Sequence, residues 1–120
     1  MKDNLFTIQN RREDSGKVIF DIAINPEHKV FEGHFPDMPI LPGVLHLEFI
    51  RDLMCKELGK KLLFQNIKDI KYLSPINPIE TPNIQIVIEH FPVDCCYSLN
   101  AIVKWDKKTF VKLKGMLKEI

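Results

Sequence analysis

The chain has 120 residues, of which 45% are hydrophobic and 28% charged, with a net charge of +1, as in an ordinary soluble domain. Nearly balanced charge without a basic block argues against nucleic acid as the main partner. We expect neither a signal peptide nor a membrane span, because no apolar run approaches the ~20 residues that a span needs. Three cysteines without zinc-ligand spacing fit a reduced cytoplasm. We therefore predict one cytoplasmic domain over residues 1–120.

The first third of the chain predicts two strands. Weak alternation favours a first strand at residues 5–9, and residues 11–16 are polar enough to suggest a turn. Hydrophobic residues then recur at period two, which is a clear strand signal, at Val18, Phe20, Ile22 and Ile24.

A helix is predicted from about Gly43 to Leu58. Pro42 precedes it, and proline is tolerated at the first turn because its missing N–H would be unpaired there. Gly59 is well placed to end the helix as a left-handed cap. Since the helix is apolar nearly all round, a sheet should wrap around it.

The rest of the chain predicts antiparallel strands. Apolar segments at residues 62–64 and 67–73 come first, and then Ile residues alternate with other residue types over 84–88. A turn is expected at residues 91–94, and a tight connection at 106–108 joins the last two strands. One early helix followed by strands predicts an α+β fold.

The helix start carries the residues best suited to chemistry. Gly43 lets another group approach the backbone closely, because it has no side chain. Its N–H is free of the helical ladder and attracts negative charge, including a transient oxyanion. Glu48 lies about 7.5 Å further along the axis between Leu47 and Phe49, where an apolar setting favours the protonated acid. His34, on the extended segment before the helix, can act as a neutral base. A base, an oxyanion donor and an acid are thus candidates within one segment.

Two motifs resemble bacterial 3-hydroxyacyl-[acyl carrier protein] dehydratases of hot-dog fold. The first is Gly33-His34-Phe35-Pro36 followed by Pro-Ile-Leu-Pro-Gly-Val-Leu and then Glu48, fourteen residues after the histidine as in that family. The second runs from Ile67 to Pro78 and is similar to a family strand leading to a proline-rich turn. The match covers roughly residues 17–80, and it identifies the chain as a short, divergent member.

The resemblance implies dehydration of a 3-hydroxyacyl thioester to the trans-2-enoyl product, in fatty acid or related acyl-chain biosynthesis such as that of polyenes. His34 would remove the α proton, Gly43 would bind the enolate oxygen, and Glu48 would protonate the leaving hydroxyl. No metal or redox cofactor is expected, because the phosphopantetheine arm belongs to the substrate. The implied partners are acyl carrier protein and further copies of the chain, in a homodimer or trimer of dimers with sites at the interface.

Other residues are assigned more loosely. Phe35, Met38 and Val44 are candidates for lining an acyl tunnel, although most such side chains simply belong to a core. Lysines of the last strand first of all form a solvated face, and a few are candidates for contact with an acidic carrier.

Two departures from the family pattern affect this interpretation. Arg51 lies on the same helix face as Glu48, so it either pairs with that acid and favours the carboxylate, or turns to Asp52, Glu57 or solvent. The segment Asn77-Pro78-Ile79-Glu80 replaces the family's usual Pro-Gly-Asp.

Three alternatives compete with the dehydratase hypothesis. A metal site at His46 and Glu48 is disfavoured, because residues two apart on a helix do not face each other. A hot-dog thioesterase would hydrolyse a similar thioester, but the spacing of His34 and Glu48 argues against it. A non-catalytic acyl-binding subunit is the third alternative, and Arg51 is the reason to consider it.

Overall fold

The computed structural model describes residues 4–32 and 39–120. Within these ranges the chain forms six strands, one α-helix and a short 3₁₀ turn at Lys29–Phe31. The elements, in chain order, are β1 (Phe6–Asp14), β2 (Lys17–Ile24), α1 (Gly43–Leu58), β3 (Leu62–Tyr72), β4 (Asn83–Val93), β5 (Cys96–Trp105) and β6 (Lys108–Glu119).

All six strands join one antiparallel sheet in the order β1-β2-β4-β5-β6-β3. The connection from β2 to β3 therefore crosses from one side of the sheet to its opposite edge, and α1 forms part of that crossing. Because α1 packs on the inner face of the sheet, the structure confirms the predicted α+β hot-dog fold.

The core lies between α1 and the inner face of the sheet. Ile50, Leu53 and Met54 of α1 are completely buried. Burying one such side chain contributes about 1.5–3 kcal/mol to the free energy of folding. The strands contribute alternate residues to the same core, namely Ile22, Ile84, Ile86, Leu99, Val103, Leu113 and Leu117.

Both predicted ends of the helix are confirmed. Gly59 adopts the left-handed conformation with φ of 64°, and its N–H donates to the Cys55 carbonyl, as expected for a C-terminal cap. At the other end, Pro42 is extended and serves as the N-cap, and Gly43 is the first helical residue.

The predicted turn at residues 11–16 is wrong for its first four residues. β1 continues to Asp14, and Arg11 pairs with Phe20 in the ladder with β2. Only Ser15 and Gly16 make the turn, both with positive φ. Backbone pairing at an edge strand needs no apolar side chains, so polarity alone did not distinguish an exposed strand from a turn.

The predicted turn at residues 91–94 is also too early. β4 continues to Val93, which pairs with Cys96, and the turn consists of Asp94 and Cys95. Pro92 is tolerated because the pairing of β2 with β4 ends at Ile88, so the missing N–H of the proline faces no described strand on that side.

Candidate active site

The two motifs that carried the resemblance meet at the start of α1. The Leu41 N–H donates to the Ile76 carbonyl over 2.9 Å, which ties the segment before α1 to the proline-rich segment after β3. Leu41 and Ile76 are both buried. The helix start is therefore held by backbone pairing with residues more than thirty positions away in the chain.

Tyr72, at the end of β3, packs directly against Gly43. Its hydroxyl donates to the Gly43 carbonyl over 3.2 Å. A Cβ at position 43 would lie only 2.9 Å from the Tyr72 ring, closer than real contacts allow. A group thus approaches the Gly43 backbone closely, as predicted, and on one side that group is the Tyr72 side chain of the same chain. Sequence reasoning missed Tyr72, whose only signal was its place in the second motif, shortly before the proline-rich turn.

A cavity of about 310 Å³ opens beside this contact. Its volume is at the lower end of the range for small-molecule sites, roughly 300–1,000 Å³. Its walls are mostly apolar, with three polar side chains, and consist of Ile40, Leu41, Gly43, His46, Tyr72, Leu73, Ser74 and Pro75.

His46 is the most unusual residue of this cavity. It is only 4% exposed, and its Nδ1 is buried without a hydrogen-bond partner among the described residues. Burial lowers the pKa of the imidazole from 6.5 to about 4, because the charged form loses its hydration. His46 is therefore neutral near pH 7. In the described part of the chain no group of three or more potential ligands is placed to hold a metal ion.

Glu48 lies on a different side of α1 from this cavity. It is half-buried, with Oε2 fully enclosed, in a narrow cleft formed with Leu5, Phe6, Leu45 and Phe49. Five residues along a helix correspond to about 140° of rotation, which explains why Gly43 and Glu48 point in different directions. Residues 4–32 and 39–120 of one chain therefore do not bring the predicted oxyanion donor and acid to a common cavity.

An ion pair joins β1 to a later part of α1. Arg11 contacts Glu57 through two nitrogens, with Nε 2.8 Å from Oε1. The hydrogen bond from Arg11 is the main cause of a lowered pKa at Glu57. The cleft that holds Glu48 lies between the same two elements.

Arg51 turns to its neighbour along the helix. Its guanidinium lies 3.5 Å from the Asp52 carboxylate. Of the two alternatives for Arg51, the structure shows the one in which it pairs with Asp52 and turns away from the predicted acid, Glu48.

Three predicted site residues lie outside the described residues, namely His34, Phe35 and Met38. Their roles stay predictions. Val44 is 59% exposed at the helix start, and its role in an acyl tunnel also stays a prediction.

No helix in the described part of the chain is long and apolar enough to cross a membrane.

Sequence comparison finds matches to dehydratases. The family model described as ApeI dehydratase, of the ApeI-like family, matches residues 9–109. A 3-hydroxyacyl-[acyl-carrier-protein] dehydratase of Geobacter metallireducens is 33% identical over 111 aligned positions, covering 81% of this chain and 70% of the relative. The corresponding enzyme of Rickettsia conorii is 30% identical, with 98% of this chain and 84% of the relative covered. The alignment with the corresponding enzyme of Novosphingobium aromaticivorans is shorter. It covers 47% of this chain and 41% of that enzyme, at 34% identity.

Two solved dehydratase structures share the fold of this chain. The dehydratase heterocomplex ApeI:P from Xenorhabdus doucetiae superposes with a TM-score of 0.75 at 19% identity, covering 94% of this chain and 97% of that chain. The dehydratase domain of the CurJ module of curacin polyketide synthase gives a TM-score of 0.63 at 16% identity, covering 94% of this chain and 41% of that one. At such identities the likeness establishes the hot-dog fold alone.

The low pKa of His46 predicts how stability depends on pH. Because the unfolded chain binds a proton at this histidine near pH 6.5 and the folded chain only near pH 4, lowering the pH through this window favours unfolding. Replacing His46 by Leu should remove this contribution. The stability advantage of the variant over the wild type should therefore grow by about 2–3 kcal/mol between pH 7 and pH 4.5. Urea unfolding at both pH values measures the difference, and parallel losses in the two proteins would contradict the assignment.

Proposed function

Because the chain belongs to the ApeI-like dehydratase family, we propose that it converts 3-hydroxyacyl thioesters on acyl carrier protein to trans-2-enoyl thioesters. Its relatives from Geobacter metallireducens and Rickettsia conorii are 3-hydroxyacyl-[acyl-carrier-protein] dehydratases, which supports this substrate class. The observation that carries the proposal is a helix that begins at a glycine and holds a half-buried glutamate in an apolar cleft five residues later. We place the reaction in fatty acid or related acyl-chain biosynthesis, in the cytoplasm.

The first step is removal of the proton α to the thioester carbonyl by His34. Negative charge then develops on the carbonyl oxygen. Gly43 is the first residue of α1, so its N–H has no partner in the helical ladder and is suited to binding that oxygen. Loss of one such donor typically lowers the rate about 10²–10³-fold.

The second step is departure of the 3-hydroxyl group. The electron pair of the broken C–H bond forms the new double bond as the C3–O bond breaks, and Glu48 protonates the departing oxygen so that water leaves. Proton exchange with solvent returns both residues to their starting states. The step needs no metal or redox cofactor, and the phosphopantetheine arm enters with the substrate.

The active assembly is proposed to be a homodimer or a trimer of dimers. β3 is an edge strand of the sheet, and exposed apolar side chains lie along it and beside the helix start. They are Val44, Leu63, Ile67, Tyr72 and Leu73. A second copy that covers this surface could also bring His34 of one chain to Glu48 of the other.

We predict that Glu48→Gln folds normally but loses at least about a hundredfold in dehydratase activity, because an amide cannot supply the proton. The assay is mass spectrometry of 3-hydroxyacyl carrier substrates of several chain lengths, following loss of water. Asp52→Asn is the matched control, since Asp52 lies one turn further along α1 and borders the same cleft. A Glu48→Gln variant that is as active as Asp52→Asn and the wild type would remove Glu48 from the mechanism. Release of free acid by the wild type would indicate a thioesterase.

Sharing of sites between subunits predicts complementation of two inactive variants. When His34→Ala and Glu48→Gln subunits exchange at random, half of the dimers are mixed, and each mixed dimer has one site with both defects and one intact. Roughly a quarter of all sites should then recover. In purified doubly tagged dimers, all of which are mixed, half of the sites should be intact, and the water-loss assay measures this recovery. Mixed dimers as inactive as their folded parents would refute shared sites and indicate that each site uses His34 and Glu48 of one chain.

A further inference from the structure

We propose that the cavity at His46 selects acyl chains that carry a second hydroxyl group beyond the reacting end. This inference rests on the proposed function, because it names the substrate class of that same site. The selecting residue would be His46, with Tyr72 as its neighbour across the cavity.

The first observation is an unused hydrogen-bonding atom in a nearly closed position. His46 is 96% buried, and its Nδ1 has no partner in the described part of the chain. Buried polar atoms are almost always paired in native proteins, so an exception at a cavity wall calls for an explanation. A ligand group that supplies the missing hydrogen bond is such an explanation.

The second observation concerns the charge of the ligand. Because the imidazole stays neutral near pH 7, it offers one donor and one acceptor nitrogen and no ionic attraction for a carboxylate. A hydroxyl group can serve either nitrogen, since it both donates and accepts. A neutral hydroxyl is therefore the group that this wall recognises best.

The other walls suit a carbon chain. Ile40, Leu41, Leu73 and Pro75 surround the cavity with apolar side chains. Its volume of about 310 Å³ accommodates a short chain segment together with one small polar group. Besides His46, only Tyr72 and Ser74 of the residues that the structure describes contribute polar side chains to the walls, so an extra hydroxyl has few side chains to bond.

The cavity also borders the proposed reacting centre. Gly43 lines it and supplies the N–H that is proposed to bind the enolate oxygen. A chain fixed there by its carbonyl has its neighbouring carbons within reach of this space. The Tyr72 hydroxyl already donates to the Gly43 carbonyl, so its oxygen is left to accept a hydrogen bond. The rings of His46 and Tyr72 lie 6.3 Å apart between centroids, close enough for both to contact one ligand group.

The test measures binding with ligands that cannot react. The probes are saturated acyl pantetheine amides of one chain length, in which nitrogen replaces the thioester sulfur. One probe is unsubstituted, and each of the others carries a hydroxyl at a different carbon beyond C3. Calorimetry gives the dissociation constants for the wild type, for His46→Leu and for His46→Gln. His90→Leu is the control, because this half-buried histidine of β4 does not line the cavity.

We expect at least one hydroxylated probe to bind the wild type and His90→Leu roughly tenfold tighter than the unsubstituted probe. The preference should disappear in His46→Leu and survive in part in His46→Gln, which keeps a hydrogen-bonding group. In the wild type, the same probe should shift the ¹⁵N resonance of the His46 imidazole, a readout that does not depend on any variant folding.

The proposal is overturned if no hydroxylated probe is preferred by the wild type, or if His46→Leu keeps the preference. Failure of the proposed dehydratase activity would look different, because the amides bind without reacting. A hydroxyl preference without turnover of thioesters would refute the activity and support the pocket. Turnover without any hydroxyl preference would refute the pocket alone.

Discussion

Burial of α1 against the inner face of the sheet is the constraint on which the rest of the structure depends. Ile50, Leu53 and Met54 have no exposed surface, so α1 cannot rotate about its axis without exposing them and losing several kcal/mol. This fixes the directions in which all other residues of the helix point. The residues proposed for chemistry and recognition are therefore positioned by core residues that take no part in either.

Because α1 cannot rotate about its axis, two sides of the helix lie in different chemical environments. Gly43 and His46 face the end of β3, where a cavity combines a neutral imidazole with apolar walls. Glu48 faces the start of β1, in a cleft bordered by Leu45 and Phe49. The proposed acid and the proposed recognition pocket can thus occupy one short helix without interfering, and in the proposed dimer the second subunit would supply the remaining groups. Arg51 does not disturb this arrangement, because its guanidinium lies beside Asp52.

Much of the fold could be predicted from sequence because its signals are local. The apolar run after Pro42 and the cap at Gly59 were sufficient to define α1, and alternation at period two located the core of β2. Polar segments were harder, because an exposed edge strand such as the end of β1 has no apolar pattern to separate it from a turn. Only the register with β2 shows that those residues are paired.

The candidate site was less predictable, since it depends on contacts between distant segments. The motif indicated that some group would approach the Gly43 backbone closely, but nothing local indicated that the Tyr72 ring would be that group. His46 was considered only as half of a metal pair, because its burial follows from the packing of α1 and not from its neighbours in sequence.

The proposed dehydratase removes water reversibly from the acyl chain and keeps the thioester intact. The most direct test is incubation of the purified protein with a trans-2-enoyl acyl carrier protein in ¹⁸O-labelled water, followed by mass spectrometry of the acyl group. Reversible dehydration predicts a 3-hydroxyacyl group that carries one heavy oxygen and is still attached to the carrier. Heavy oxygen in a released carboxylic acid, or an enoyl thioester that stays unchanged, would contradict it.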